Sequence, residues 1–159
     1  MTDFPVLLAA LAESSVEFIL VGGAAATAHG SARLTVDLDV VYRRTPENLA
    51  RLVTSLGPLR PYLRGAPAGL PFCWDVDTLR RGLNFTLITI AGAIDVLGEI
   101  SGGGTYDELS AATEEIELFG LRCRSVTLEK LIHLKRAAGR PKDLEAIAEL
   151  EAIVEERAR

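Results

Sequence analysis

The stretch "RLTVDLDVVYRR", residues 33–44, carries two aspartates, Asp37 and Asp39, separated only by Leu38 inside an apolar run. A run of β-branched and apolar residues predicts a strand. In a strand, side chains at i and i+2 share a face. Two carboxylates are thus held side by side, and each raises the cost of ionising the other. The simplest relief is a divalent cation. Mg²⁺ is typically bound through one or two protein carboxylates, with water and substrate phosphates completing its shell. A third carboxylate on a neighbouring strand would let two ions clamp both ends of an in-line phosphoryl displacement. Asp95 in "AIDVL" is that candidate, because an apolar core strand is a poor place for a lone aspartate. A structural alternative stays open, in which these aspartates pair with Arg33, Arg43 or Arg44 at a turn or strand edge.

The elements that must position these acids follow from the pattern of the chain. Residues 4–14 read as an amphipathic helix, and "VEFILVG", 16–22, as a strand ending in glycine. "GAAATAHG", 23–30, reads as a short Ala-rich helix stopped by Gly30. Glycines between strand and helix, Gly22 and Gly23, let the backbone approach a ligand, and free N–H groups there favour phosphate. The dinucleotide fingerprint G-x-G-x-x-G is not present. A second strand covers about 35–42. Thr45, Pro46 and Gly57 frame a helix. Seven of the fifteen residues 57–71 are Gly or Pro, a density at which no regular element is expected. Strands follow at 83–90 and 93–100, "SGGG" breaks the chain at 101–104, and Thr105 with Glu108 has capping-box spacing. A hairpin turning at Gly120 and two helices, about 127–138 and 142–157, complete the chain.

With 159 residues, 48% apolar and 25% charged, the sequence suits one soluble globular domain spanning 1–159. No apolar run approaches a membrane span. The N-terminal stretch has no basic residue before its apolar part and reads as a helix, not a secretory signal. Cys73 and Cys123 have no closely spaced partner and read as buried thiols of a cytoplasmic protein. A net charge of −5 argues against a general nucleic-acid coat protein. Even so, residues 121–142 hold Arg122, Arg124, Lys130, Lys135, Arg136, Arg140 and Lys142 against one acid, Glu129. That imbalance predicts a local anionic ligand. His29 and His133 have no ligand-spaced partners; His29 suits a helix C-terminus, and His133 reads as half-buried. Trp74 reads as a core anchor before a base-stacking platform.

Gly22-Gly23, thirteen residues, Asp37-Leu38-Asp39 and then Asp95 on a later strand together resemble the polymerase-β-type nucleotidyltransferase superfamily. "GGAAATAHGSARLTVDLDVV" and "LEKLIHLKRAAGRPKDLEAIAEL" resemble its small stand-alone branch that includes AbiEii-type toxins. The resemblance spans nearly the whole chain and is least constrained in the Gly/Pro-rich segment. It implies an α+β nucleotidyltransferase fold, with a small mixed β-sheet, helices packed on it and two C-terminal helices. It implies Mg²⁺ or Mn²⁺ on Asp37, Asp39 and Asp95, with Asp95 serving or orienting the base. It implies a nucleoside triphosphate contacted by Gly22, Gly23, Arg33, Thr35, Lys135 and Lys142, and a hydroxyl acceptor on RNA or protein. A cognate antitoxin is the implied partner if the chain is a toxin. The alternatives are a small-molecule, antibiotic-type acceptor, or a binding module without catalysis. Arg140 and Asp143 are expected to pair and fix the last two helices. Should Asp95 not be the third acid, Asp75 and Asp77 are next.

Overall fold

A computed structural model describes residues 1–159. The chain runs α1 (Phe4–Glu13), β1 (Phe18–Val21), α2 (Gly22–Ala28), β2 (Asp37–Tyr42), α3 (Pro46–Leu56), β3 (Tyr62–Leu63), α4 (Val76–Arg81), β4 (Asn84–Thr89) and β5 (Gly92–Leu97). It continues through β6 (Glu99–Ile100), β7 (Gly104–Thr105), α5 (Tyr106–Leu109), β8 (Thr113–Leu118), β9 (Leu121–Val126), α6 (Leu128–Ala138) and α7 (Pro141–Arg157). Side-chain oxygens start several helices, at Thr45 and Thr105 as the sequence anticipates. Thr45 accepts the Asn48 N–H, Thr105 and Glu108 close a capping box, and Thr127 accepts the Lys130 N–H.

Seven strands form one mixed sheet in the order β3-β4-β5-β2-β1-β9-β8. β2 pairs in parallel with β5, and β1 in parallel with β9; the other neighbours are antiparallel. Asp39 stands opposite Asp95 in the β2–β5 register. Alternation therefore sends Asp37, Asp39 and Asp95 to one face of the sheet. It sends Leu38, Val40, Ile94 and Val96, all fully buried, to the other. Removing that much apolar surface from water is what holds the two central strands rigidly in place. α2 packs on β1 and β2 and touches α6, which packs against α7. The helix pair is thereby brought over the acidic face.

Three expectations need correction. The Gly/Pro-rich segment does hold a strand: Tyr62 and Leu63 pair with Ile88 and Leu87 of β4. Two residues on a sheet edge leave no periodic signal, and the surrounding turns are clasped by Tyr62. Its hydroxyl donates to the Pro67 carbonyl and accepts the Leu70 N–H, while its ring meets Phe72 edge-on at 6.0 Å. The "SGGG" break is the turn of a small hairpin, with Ile100 paired to Gly104. His133 is exposed, because it points away from the apolar stripe of Leu131, Ile132 and Leu134. Cys73 is exposed and Cys123 half-buried; both are free thiols. α4 lies in a stretch that carries little helical pattern and is started by Asp75, whose side chain accepts the Thr78 N–H. No helix is long and apolar enough to cross a membrane.

Candidate active site

Asp37, Asp39 and Asp95 each place a carboxylate oxygen within 4.8 Å of the others. Asp39 is the most constrained. One of its oxygens, Oδ1, is buried without a hydrogen-bond partner. Burial, then the charges of Asp95 and Asp37, push its carboxyl up to about 7, and Lys135 works weakly the other way. Gly22 lies against this group at a φ of +63°, and a Cβ there would collide with the Asp39 carboxylate. A Cβ on Gly23 would collide with the Thr35 side chain, whose hydroxyl donates to the Asp37 carbonyl at 3.1 Å. The two glycines thus let the start of α2 close directly onto the acid-bearing strand.

The arginines next to the acids in sequence do not neutralise them. Arg33 reaches Glu145 at 3.5 Å, and Arg43 pairs with Glu17 and Asp107. Arg44 donates to the Tyr42 hydroxyl and the Leu79 carbonyl. The cation that does reach the cluster is Arg64, just past β3. Its Nη2 donates to Asp95 Oδ1 at 2.6 Å, and its Nη1 lies 3.6 Å from Asp37 Oδ2. Nothing near Arg64 in the sequence signals this; the contact is made by β3 pairing with β4. Asp75 and Asp77 are remote in role, one a helix cap and the other a surface partner of Arg80.

Facing the acids is a wall from the two C-terminal helices. Asp143, 1% exposed, binds Arg140 through Nε at 2.7 Å and Nη2 at 3.2 Å, and lies 3.6 Å from Lys135 Nζ. Burial pushes the Asp143 carboxyl up, but the hydrogen bonds and charge of Arg140, together with Lys135, outweigh it and hold it below the usual carboxylate range. A cavity of about 330 Å³ separates the walls. Its lining includes the three acids, Gly23, Thr35, Arg33, Lys135, Arg140 and Lys142. A second cavity, about 320 Å³, opens on the other side of Asp39. It is floored by Val21, Leu97, Ile100, Leu131 and Leu134.

Most predicted residues converge, but the basic segment does not act as one patch. Arg122 and Arg124 lie on β9 beside Glu115 and Thr113, Arg136 pairs with Glu151, and Lys130 donates to the Gly102 carbonyl. Only Lys135, Arg140 and Lys142 of that stretch line the first cavity. His29 is structural: it is buried, with Nε2 at 2.8 Å from the Val126 carbonyl and Nδ1 facing Arg157. Trp74 anchors the chain, its indole N–H donating to the Val53 carbonyl.

The donor set fits a hard divalent cation: three clustered carboxylates, one with a buried oxygen lacking any partner. The fold is α+β, a mixed β-sheet with helices packed on it and two helices at the C-terminal end. The chain is similar over 97% of its length to 90% of the antibiotic-resistance factor ANT(2'')-Ia, with a TM-score of 0.53 and 15% sequence identity. No family model matches the chain, and no curated protein matches it in sequence.

Proposed function

We propose that this chain is a metal-dependent nucleotidyltransferase that moves a nucleoside monophosphate from a nucleoside triphosphate to a hydroxyl acceptor and releases pyrophosphate. The observation that carries the reading is the three-carboxylate cluster facing a cation-lined cavity. Asp37, Asp39 and Asp95 would hold Mg²⁺ or Mn²⁺, which when bound neutralises the triphosphate and makes the acceptor hydroxyl more acidic. The chain itself supplies the rest. Lys135, Arg140, Lys142 and Arg33 oppose the charge that grows on the leaving pyrophosphate. Gly22 and Gly23 keep the backbone close to the phosphates, and Thr35 fixes the strand carrying Asp37. Asp95 orients the attacking hydroxyl or accepts its proton.

Two acceptor classes divide the proposal. The resemblance to the AbiEii-type branch supports a hydroxyl on RNA or protein, with the chain as toxin of a toxin–antitoxin pair. The likeness to an antibiotic-resistance factor, together with the scattering of the basic segment, supports a small-molecule acceptor. Incubation with each α-labelled nucleotide and Mg²⁺ or Mn²⁺ separates them, using total RNA, cell lysate and an antibiotic panel as acceptors. Label is expected in one pool, and Asp37→Asn or Asp39→Asn should abolish it without unfolding the chain. Tight nucleotide binding with no label in any pool would favour a binding module. Surviving transfer with a marked loss of thermal stability in both variants would make the aspartates structural.

A further inference from the structure

The Arg64 guanidinium occupies an unusual position. It lies outside both C-terminal helices and outside every stretch in which the sequence placed site residues. Its side chain is 28% exposed and meets an Asp95 side chain that is 20% exposed. Two of its nitrogens, Nε at 3.2 Å and Nη2 at 2.8 Å, donate to the Leu87 carbonyl on β4. The same Nη2 donates to Asp95 Oδ1, and Nη1 faces Asp37. The planar fork is thus fixed by the neighbouring strand before it touches a carboxylate, which limits the rotamer freedom lost in making the pair. Asp39, the third acid, receives no such partner.

We propose that Arg64 is an internal counter-ion of the acidic cluster, and that it sets how readily a divalent cation takes the Asp95 end. With the guanidinium in place, Asp95 Oδ1 already carries a short charge-assisted hydrogen bond. A cation held by that oxygen would sit against a second positive charge. Loading there requires the Nη2 bond to break. Loading at Asp39, whose Oδ1 is unpartnered, does not. The acids are therefore unequal: Asp39, whose buried Oδ1 has no partner, has no cation to displace, and the Asp95 side is held until Arg64 swings away. β3 is a two-residue edge strand, so Arg64 can withdraw without disturbing the central pairing of β2 with β5.

This inference rests on the reading of the acids as a cation site, and the test separates the two. Free Mn²⁺ is followed by electron paramagnetic resonance while wild type, Arg64→Gln and Arg64→Lys are titrated without nucleotide. The melting temperature of each metal-free protein is measured in parallel. Arg64→Gln is expected to bind Mn²⁺ about tenfold more tightly than wild type, because one opposing charge is removed from the cluster. Its metal-free melting temperature should fall by a few degrees, and Mn²⁺ should restore more than it restores to wild type. Arg64→Lys keeps the charge but loses the fork, and should bind Mn²⁺ modestly more tightly than wild type; it decides the matter if Arg64→Gln does not fold. Equal or weaker Mn²⁺ binding in the variants, with wild type binding normally, overturns the proposal and makes Arg64 an orienting group for Asp95. Absence of Mn²⁺ binding in every protein overturns the cation-site reading itself.

Discussion

The two walls of the cleft handle charge in opposite ways. On the sheet side, three carboxylates share one face with a single arginine, and Asp39 keeps a buried oxygen without a partner. On the helix side, Lys135 and Arg140 converge on one buried carboxylate, Asp143. The helix wall keeps a surplus of positive charge, with two cations on one carboxylate, and those cations are oriented before any ligand arrives. The sheet wall is short of positive charge, so a cation supplied from outside would stabilise it. A cleft built this way suits a ligand that brings both signs at once, as a metal-bound triphosphate does.

The sharpest way to break this contrast is Asp95→Asn. The variant should keep much of its metal–nucleotide affinity, since Asp37 and Asp39 remain, yet lose transfer by on the order of a thousandfold through lost positioning and activation. Nucleotide titration beside the labelled-transfer assay checks both halves, and a rate near wild type would mean that the third acid lies elsewhere. On the opposite wall, Lys135→Ala should weaken nucleoside triphosphate binding by roughly ten- to a hundredfold, the worth of one charge-assisted contact. The bare nucleoside should be affected little. Calorimetry with both ligands decides it, and equal weakening would return Lys135 to a general packing role.

The walls should also answer pH with opposite sign. Asp39 binds its proton more tightly when folded, at about 7, than when unfolded, near 3.8. Folding therefore takes up a proton in this window, and the metal-free protein should lose stability as pH rises from about 4 to about 7. Asp39→Asn should flatten that slope, with melting temperature several degrees above wild type at pH 7.5. Asp143 runs the other way. Its carboxyl is depressed in the fold, so its stabilisation is present above the unfolded value and is lost as pH falls through the folded one. Asp143→Asn should cost about 1 kcal/mol at neutral pH, and less as the medium becomes acidic. Melting curves of both variants from pH 3 to 8 would show whether the slopes cross as expected.

The sheet wall was more legible in the sequence than the rest of the cleft. Asp37, Asp39 and the glycines are local: strand period and the tight strand-to-helix turn announce them. Asp95 is betrayed by its apolar neighbours. The helix wall was legible in part, because Lys135 and the Arg140–Asp143 pair follow helical spacing. The inward turn of Lys135, and the outward dispersal of Arg122, Arg124 and Arg136, depend on packing that no local pattern carries. Arg64 was invisible for the same reason. It is flanked by Leu63 and Gly65 in a segment whose glycines and prolines erase periodicity, and it matters only because β3 finds β4. The register that brings Asp39 level with Asp95 is likewise a property of two strands more than fifty residues apart.

The parallel pairing of β1 with β9 has a consequence for the order in which the molecule assembles. Ile19 meets Arg124 and Leu20 meets Ser125, a contact that closes a span of roughly a hundred residues and belongs with the slowest to form. Strands β2 and β5, which bring the acids together, pair over about half that span. The helices bearing the opposing cations follow β9 in the chain. During synthesis the carboxylates, with Arg64 already beside them, therefore meet one another before Lys135, Arg140 and Lys142 are made, and for that interval the cluster is more crowded with negative charge than in the finished fold. A cation bound in that interval would lessen the repulsion among the three acids.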